Sequence, residues 1–245
     1  MRSLAAAAAS LLNLSLTSAQ AAAFQTYADE LAEWNAKFNL TAIADPEGVQ
    51  IKHFLDSLTC LIAFRAAPVT QPSGEQPLSI IDIGSGAGFP GLPLKIVCPA
   101  IRLTLVEATG KKVRFLEHMI SRLGLSGVAA IQARAEAIGH DPAHRERYDW
   151  ALARAVAELP ALVEYLLPLV PRGGRCVAQK GESGPAEAHA AEKALRLLGG
   201  QLNQLIPVEL PGVAETHYLV VIDKVAATPA KYPRRAGIPT KSPLR

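Results

Sequence analysis

Apolar positions recur at two periods along the chain, and the change from one to the other divides it. From Thr17 onward, Phe24, Tyr27, Ala28, Leu31, Trp34 and Phe38 fall mostly at helical spacing. That spacing predicts an amphipathic helix with one core face, ended by Asn39-Leu40-Thr41. Asp45-Pro46-Glu47 reads as N-cap, first helical residue and acidic first turn. The helix it opens runs to about Phe64, with Ile51, Phe54, Leu55, Leu58 and Ile62 on its inner stripe. Further on, short apolar runs alternate with helical patterns. Ile80–Ile83, Leu103–Val106 (closed by Glu107), Val128–Gln132, Asp149–Ala153 and Gly174–Gln179 are predicted strands. Leu92–Cys98, Lys111–Leu123, Leu159–Leu169 and Pro185–Leu198 are predicted helices. Gln204–Val208 and Tyr218–Val225 follow without a helix between them and read as an antiparallel pair. Strands alternating with helices predict an α/β fold, a doubly wound and mostly parallel sheet with a late antiparallel strand.

Between the two patterns, 68–77 holds three prolines, a glycine and polar residues, and reads as a linker. The expected organisation is a helical region over 1–67, the linker 68–77, an α/β domain over 78–226 and a tail over 227–245. The first dozen residues allow two readings. Arg2, an alanine-rich apolar run to Leu12, and Ser18-Ala19-Gln20 before Ala21 resemble a secretory signal. Two successive helices are the preferred reading, because Thr17 and Gln20 form a capping box and the composition does not change beyond them.

Composition narrows the class. With 245 residues and 49% hydrophobic content the chain can bury a full core. No run of 18 apolar residues suggests a membrane span. The three cysteines, Cys60, Cys98 and Cys176, are scattered, which fits neither a disulfide framework nor a zinc site and points to the cytoplasm. A net charge of +3 and a pI near 8.8 lean toward an anionic partner.

The chemistry centres on Asp82 through Gly91, where four glycines, Gly84, Gly86, Gly88 and Gly91, follow the first strand. Gly86-x-Gly88-x-x-Gly91 by itself fits a dinucleotide-dependent reductase. Three details oppose that. Gly86 comes late after the strand, Asp82 would repel a pyrophosphate, and Pro90 and Pro93 remove N–H donors from the helix start. Asp-x-Gly-x-Gly-x-Gly, read from Asp82, better suits S-adenosylmethionine, which carries an ammonium and no phosphate. Glu107, ending the second strand, can accept from both ribose hydroxyls, and Ala135-Glu136 is placed to border the adenine.

The acceptor is narrowed by what is missing. No Asn/Asp-Pro-Pro-aromatic run for amine methylation follows the fourth strand, where the chain reads Leu152-Ala153-Arg154-Ala155. Cys176 lies inside a strand and reads as core, not as a nucleophile for carbon methylation. A ring nitrogen with a lone pair, such as guanine N7, needs neither device. Arg154 at the end of the fourth strand is the candidate positioning residue, able to hold a carboxylate, guanine O6 or a phosphate. Lys111, Lys112 and Arg114 crowd a helix N-terminus, Lys180 ends the fifth strand, and the tail carries Lys231, Arg234 and Arg235 beside Tyr232. These are the candidate RNA contacts, with the tail expected as an irregular strip along phosphates and Tyr232 free to stack.

Several motifs together carry a resemblance: Trp34-Asn35, Asn39-Leu40-Thr41, His53 through Leu58, Asp82 through Pro93, Gly110 through Leu116, Arg154-Ala155, Lys180-Gly181, and Tyr232 through Leu244. From about Leu12 onward the chain resembles the bacterial 16S rRNA guanine-N7 methyltransferase G family, also called glucose-inhibited division protein B. The resemblance implies a class I S-adenosylmethionine-dependent methyltransferase, Rossmann-like, behind an N-terminal helical cap. It implies methylation of N7 of one guanine in the decoding-region stem-loop of 16S rRNA in the small ribosomal subunit, without a metal. By motif position it makes Gly84, Phe89, Ala135, Glu136 and Arg154 cofactor contacts, and Glu107 fits the same pattern. His53 and Asp56, one helical turn apart, are expected to brace the two parts. A methyltransferase for another RNA or a small molecule, a dinucleotide-dependent reductase, and a non-catalytic RNA-binding module are the alternatives.

Overall fold

The computed structural model describes residues 1–66 and 77–244, so most of the expected linker lies outside the described residues. Helix α1 (Arg2–Leu12) packs against the body of the protein. Its Leu4, Ala8 and Leu12 are buried in the main core, and Arg65 Nη1 donates to the Leu12 carbonyl at 2.6 Å. Helix α2 (Ser18–Phe38) starts at the capping box, Thr17 accepting from Gln20 N while Gln20 caps Thr17 N, and buries Phe24, Tyr27 and Leu31. It ends at Asn39 in the left-handed conformation.

The helical run over 46–66, α3, starts at Asp45, whose carboxylate accepts from Gly48 N at 2.6 Å. Its turn at Val49–Leu55 is π-helical, a local widening that no hydrophobic period announces. Phe54, Leu55 and Leu58 are fully buried, each worth about 1.5–3 kcal/mol of transfer free energy.

The sheet holds β1 (Ser79–Ile83), β2 (Arg102–Glu107), β3 (Val128–Gln132), β4 (Trp150–Arg154), β5 (Arg175–Lys180), β6 (Gly200–Val208) and β7 (His217–Lys224) in the order β3-β2-β1-β4-β5-β7-β6. The first five pair in parallel, and β7 is antiparallel to both β5 and β6. The strand order turns at β1 and β4, and a crevice opens there at the carboxyl ends.

The remaining helices are α4 (Gly91–Val97), α5 (Gly110–Arg122), α6 (Ala135–His140), α7 (Leu159–Leu166), α8 (Gly184–Ala190), α9 (Glu192–Leu198) and α10 (Ile238–Lys241). The predicted helix over 185–198 is thus two helices meeting at Ala191, and α6 was absent from the periodicity reading. Each strand presents alternate residues to two cores. On one face Ile80, Leu105, Leu152 and Val177 pack against α1–α5. On the other, Ile81, Val106, Ala153 and Cys176 pack against α7 and α9. The N-terminal helices therefore cover one face of the sheet and share its core.

The tail does not run as an open strip. It folds back over the second face as a strap. Arg145 fastens it by donating to the carbonyls of Thr228, Tyr232 and Gly139, and His140 Nε2 lies 2.5 Å from the Pro233 carbonyl. Gly237 N donates to Glu136 at 2.9 Å. Tyr232 is 7% exposed and packs in the second core, so it has no face free for a base.

Candidate active site

The glycine loop is a short segment held from several sides. Gly84 and Ser85 donate to the Val106 carbonyl, and Tyr27 donates to the Ala87 carbonyl at 2.5 Å. Gly86 N donates to Glu107 Oε2 at 3.0 Å, and Gly91 N to Asp82 Oδ2 at 2.9 Å. Three of its glycines, Gly84, Gly86 and Gly88, have positive φ. Gly84 has φ +69°, and a Cβ there would lie 2.6 Å from Val156 Cγ2. Gly86 has φ +60°, and its nearest heavy-atom neighbour would be the Gly84 carbonyl at 3.9 Å, so a Cβ would stand in the open crevice.

Asp82 does not face the crevice, as it would have to for the expected repulsion of a pyrophosphate. It is fully buried, caps the start of α4 through Gly91, and leaves Oδ1 without a partner. Burial raises its carboxyl to about 7, against the Gly91 N–H that favours the charged form. The donors of α4 are spent. Gly91 N is taken by Asp82, Leu92 N by the Gly88 carbonyl, and Pro90 and Pro93 have no N–H. A pyrophosphate would find no donor there, which sets aside the dinucleotide reading.

Three clefts adjoin along the carboxyl ends. The first, about 210 Å³, has apolar walls from Ile83, Val106, Ala133, Ala135 and Val156, with Gly84, Glu107, Glu136, Tyr165, Gly237 and Thr240 around them. Glu107 accepts Gly86 N on one oxygen and Thr109 N on the other, which leaves lone pairs on both for a diol. Glu136 holds the strap and receives Tyr165 Oη at 3.4 Å. The second cleft, about 160 Å³, lies at the loop between Thr41, His53, Gly86, Phe89, Lys112 and Arg154. The third, about 500 Å³, is lined by Lys52, His53, Asp56, Arg154, Gln179, Lys180, Gly181, Glu187 and His217. Gly84 is common to the first two, and His53, Arg154 and Ala155 to the second and third.

The junction is built on Arg154. Its Nη1 donates to Asp56 Oδ2 at 2.9 Å and to the Lys52 carbonyl at 3.1 Å, and its Nη2 lies 3.1 Å from His53 Nδ1. The guanidinium also lies 4.9 Å from the Phe89 ring centre, and the His53 ring stacks on Phe89 at 4.4 Å. Burial, then the Arg154 charge, pushes His53 down to about 3, so the ring is neutral. With Arg154 donating to Nδ1, the proton sits on Nε2 and is given to Thr41 Oγ1 at 2.7 Å. Burial of Asp56 opposes its charge, but hydrogen bonds and charge from His217 and Arg154 outweigh it and hold the carboxyl low. Ala155 has φ +54°, a costly conformation for a residue with a Cβ, directly after Arg154 where the backbone leaves the sheet.

Several expected RNA contacts are otherwise engaged. Lys180 is paired with Glu187 at 2.7 Å and donates to the Ala157 carbonyl. Lys111 Nζ donates to the Phe38 carbonyl at the end of α2, where a cation suits the helix dipole. Arg234 gives Nε and Nη2 to fully buried Glu164. Each of those three cations has a partner within the protein. Lys112 stays at the second cleft and Arg114 is exposed. Lys231 and Arg235 are exposed on a groove they share with Arg134 and His140. His217 lies outside every motif, whereas Thr41 and Thr240 stand within two of them with no site role assigned. Among the described residues there is no cluster of three metal-ligating side chains, and no helix is long and apolar enough to cross a membrane.

Residues 20–211 match the family model GidB, described as rRNA small subunit methyltransferase G. A protein of Roseiflexus castenholzii named ribosomal RNA small subunit methyltransferase G is 51% identical over 231 residues, covering 94% of each chain. One of the same name from Dehalococcoides mccartyi is 47% identical over 235 residues, covering 96% of each. Among solved structures, a variant of MtNAS in complex with S-adenosylmethionine superposes with a TM-score of 0.54 at 17% identity, over 83% of this chain and 72% of that one. That likeness concerns the fold.

Proposed function

The chain belongs to the rRNA small subunit methyltransferase G family, an S-adenosylmethionine-dependent methyltransferase family, and on that premise we propose that it methylates N7 of one guanine in 16S rRNA, acting in the cytoplasm on the small ribosomal subunit. The observation that carries the choice of atom is the state of the basic groups in the acceptor cleft. Both nitrogens of His53, both oxygens of Asp56 and both oxygens of Glu187 already have partners. Each is thereby a poor base for an amine, and His217, the remaining basic group of the cleft, is favoured in its protonated form by its hydrogen bond to Asp56. N7 has a lone pair and no proton to lose, so positioning is enough. When bound, S-adenosylmethionine supplies an activated methyl: the carbon–sulfur bond breaks as the N7 lone pair bonds the carbon, and the positive charge passes from sulfur to the base.

The residues fit that cofactor. The Glu107 oxygens receive the ribose hydroxyls, and Ala135 and Glu136 border the adenine in the first cleft. Gly84, Gly86 and Phe89 let the methionine end lie close to the loop. Arg154 keeps its Nε–H and one Nη2–H for the methionine carboxylate. Lys112, Arg114, Lys231 and Arg235 meet phosphates.

Labelled methyl transfer to free 16S rRNA, 30S and 70S particles, followed by mapping of the modified base, tests the reading. The expected product is N7-methylguanosine at a single position of 16S rRNA. Label on an exocyclic amine, on carbon, or on a small molecule alone would overturn it.

A further inference from the structure

One polar atom of the acceptor cleft is prepared by the fold and not used by it. His217 opens β7 and places Nδ1 2.9 Å from Asp56 Oδ1. Asp56 is fixed in turn by Arg154 on its other oxygen and by Gln179 Nε2, which donates to its carbonyl at 2.7 Å. The imidazole orientation is therefore set, and His217 Nε2 has no protein partner among the described residues. The residue lines the cleft shared with Arg154, with a side chain 27% exposed.

We propose that His217 is a specificity-determining residue, its Nε2–H donating to O6 of the target guanine while Asp56 holds Nδ1. This rests on the guanine-N7 reading above. Guanine shows two adjacent acceptors on one edge, N7 and O6. N7 must stay bare for the methyl, so O6 is the atom of that edge open to recognition. Adenine carries an amino donor in that place, and two facing donors exclude it.

Nε2 donates in the doubly protonated ring. The hydrogen bond to Asp56 raises the His217 pKa above its ordinary value, against burial and the Arg154 charge, and Glu215 adds to the rise. The other charged groups of the cleft do not reverse this. Lys180 is neutralised by Glu187, His53 is uncharged, and Lys52 lies on the α3 side. Transfer to N7 releases no proton, so His217 keeps its own throughout. The product base is cationic, and its repulsion by the imidazolium favours release.

The test uses full-length protein and 16S rRNA, in the particle that accepts methyl, carrying guanine or 2-aminopurine at the mapped position. 2-Aminopurine keeps N7 and lacks O6. Wild-type kcat/KM should favour guanine by about tenfold to a hundredfold, the range for a charge-assisted hydrogen bond. In His217→Leu that preference should fall to within about threefold, because only the guanine reaction is slowed. His217→Gln keeps an amide donor and a partner for Asp56. It should retain the preference and lose the decline in rate that the wild type shows as pH rises through the His217 pKa. Equal slowing on both bases by His217→Leu, or an unchanged pH limb in His217→Gln, would overturn the proposal in favour of a brace or a phosphate contact. A wild-type enzyme that modifies no guanine would overturn the function reading itself, and this inference with it.

Discussion

Replacing Arg234 by alanine should loosen the C-terminal strap and leave the grip on RNA unchanged. Glu164 is fully buried and accepts Arg234 N at 2.6 Å, Nε at 3.0 and 3.1 Å, and Nη2 at 2.8 Å. The substitution removes every side-chain donor and leaves one backbone N–H for a buried carboxylate. Breaking one side of a buried pair costs about 3–5 kcal/mol. The Arg234 side chain is 26% exposed, which favours the lower end, about 3 kcal/mol. Expressed globally, that is a fall in Tm of about 6–12 °C for a chain of this length. The Arg145 bonds hold the strap upstream, so part of the cost is expected as local opening near Gly237 and Thr240. Those residues wall the first cleft, and S-adenosylmethionine affinity should fall with them. Thermal melts, calorimetry with the cofactor, and RNA binding at several salt concentrations give the three readouts. An arginine on a phosphate would instead lower the salt slope by about one. Unchanged Tm and cofactor affinity together with a reduced slope would refute the reasoning.

Asp82→Asn addresses the buried loop acid. A carboxyl raised to about 7 in the fold keeps a proton that the unfolded chain releases near 3.8, so wild-type stability falls as pH rises between those values. The asparagine can still accept from Gly91 and should lack that decline; parallel Tm–pH curves for the two proteins would count against the assignment. Gly86→Ala puts a Cβ into the crevice at φ +60°, at a conformational cost of about 1–2 kcal/mol. Its Tm should drop modestly and its cofactor affinity much more, as calorimetry would show; equal affinity would mean the cofactor does not approach the loop there. Arg154→Ala should lose transfer and also stability, by about 3–5 kcal/mol, since buried Asp56 keeps only His217. An unchanged Tm would place the Asp56–Arg154 pair outside the fold's stability.

Much of this protein is local and therefore readable along the chain. Hydrophobic period, the Thr17 and Asp45 caps and the glycine spacing mark the elements and the glycine loop, because each depends on residues within a turn or two. Arg154 and Glu107 were found as strand-end residues, since parallel topology puts all such ends at one crevice. What charge means at a position is a different matter. Lys180, Lys111 and Arg234 look like free cations in sequence, and their partners Glu187, the Phe38 carbonyl and Glu164 lie up to 73 residues away. Tyr232 looked available and is core, because the strap turns it inward.

His217 is the sharpest case. No motif surrounds it, and a histidine at a strand start reads as ordinary. Yet β7 runs against β5, with Tyr218 opposite Lys180, so the start of β7 lies at the carboxyl ends of the parallel strands. There it meets Asp56, 161 residues earlier, on a helix bonded through that same acid to Arg154. The sequence by itself determined the fold class, the glycine loop and the family. Only the tertiary structure decided which charges are spent within the protein and which imidazole opens on the cleft beside Arg154, because hydrogen-bond and ion partners are chosen by proximity in space, and strand direction sets that proximity.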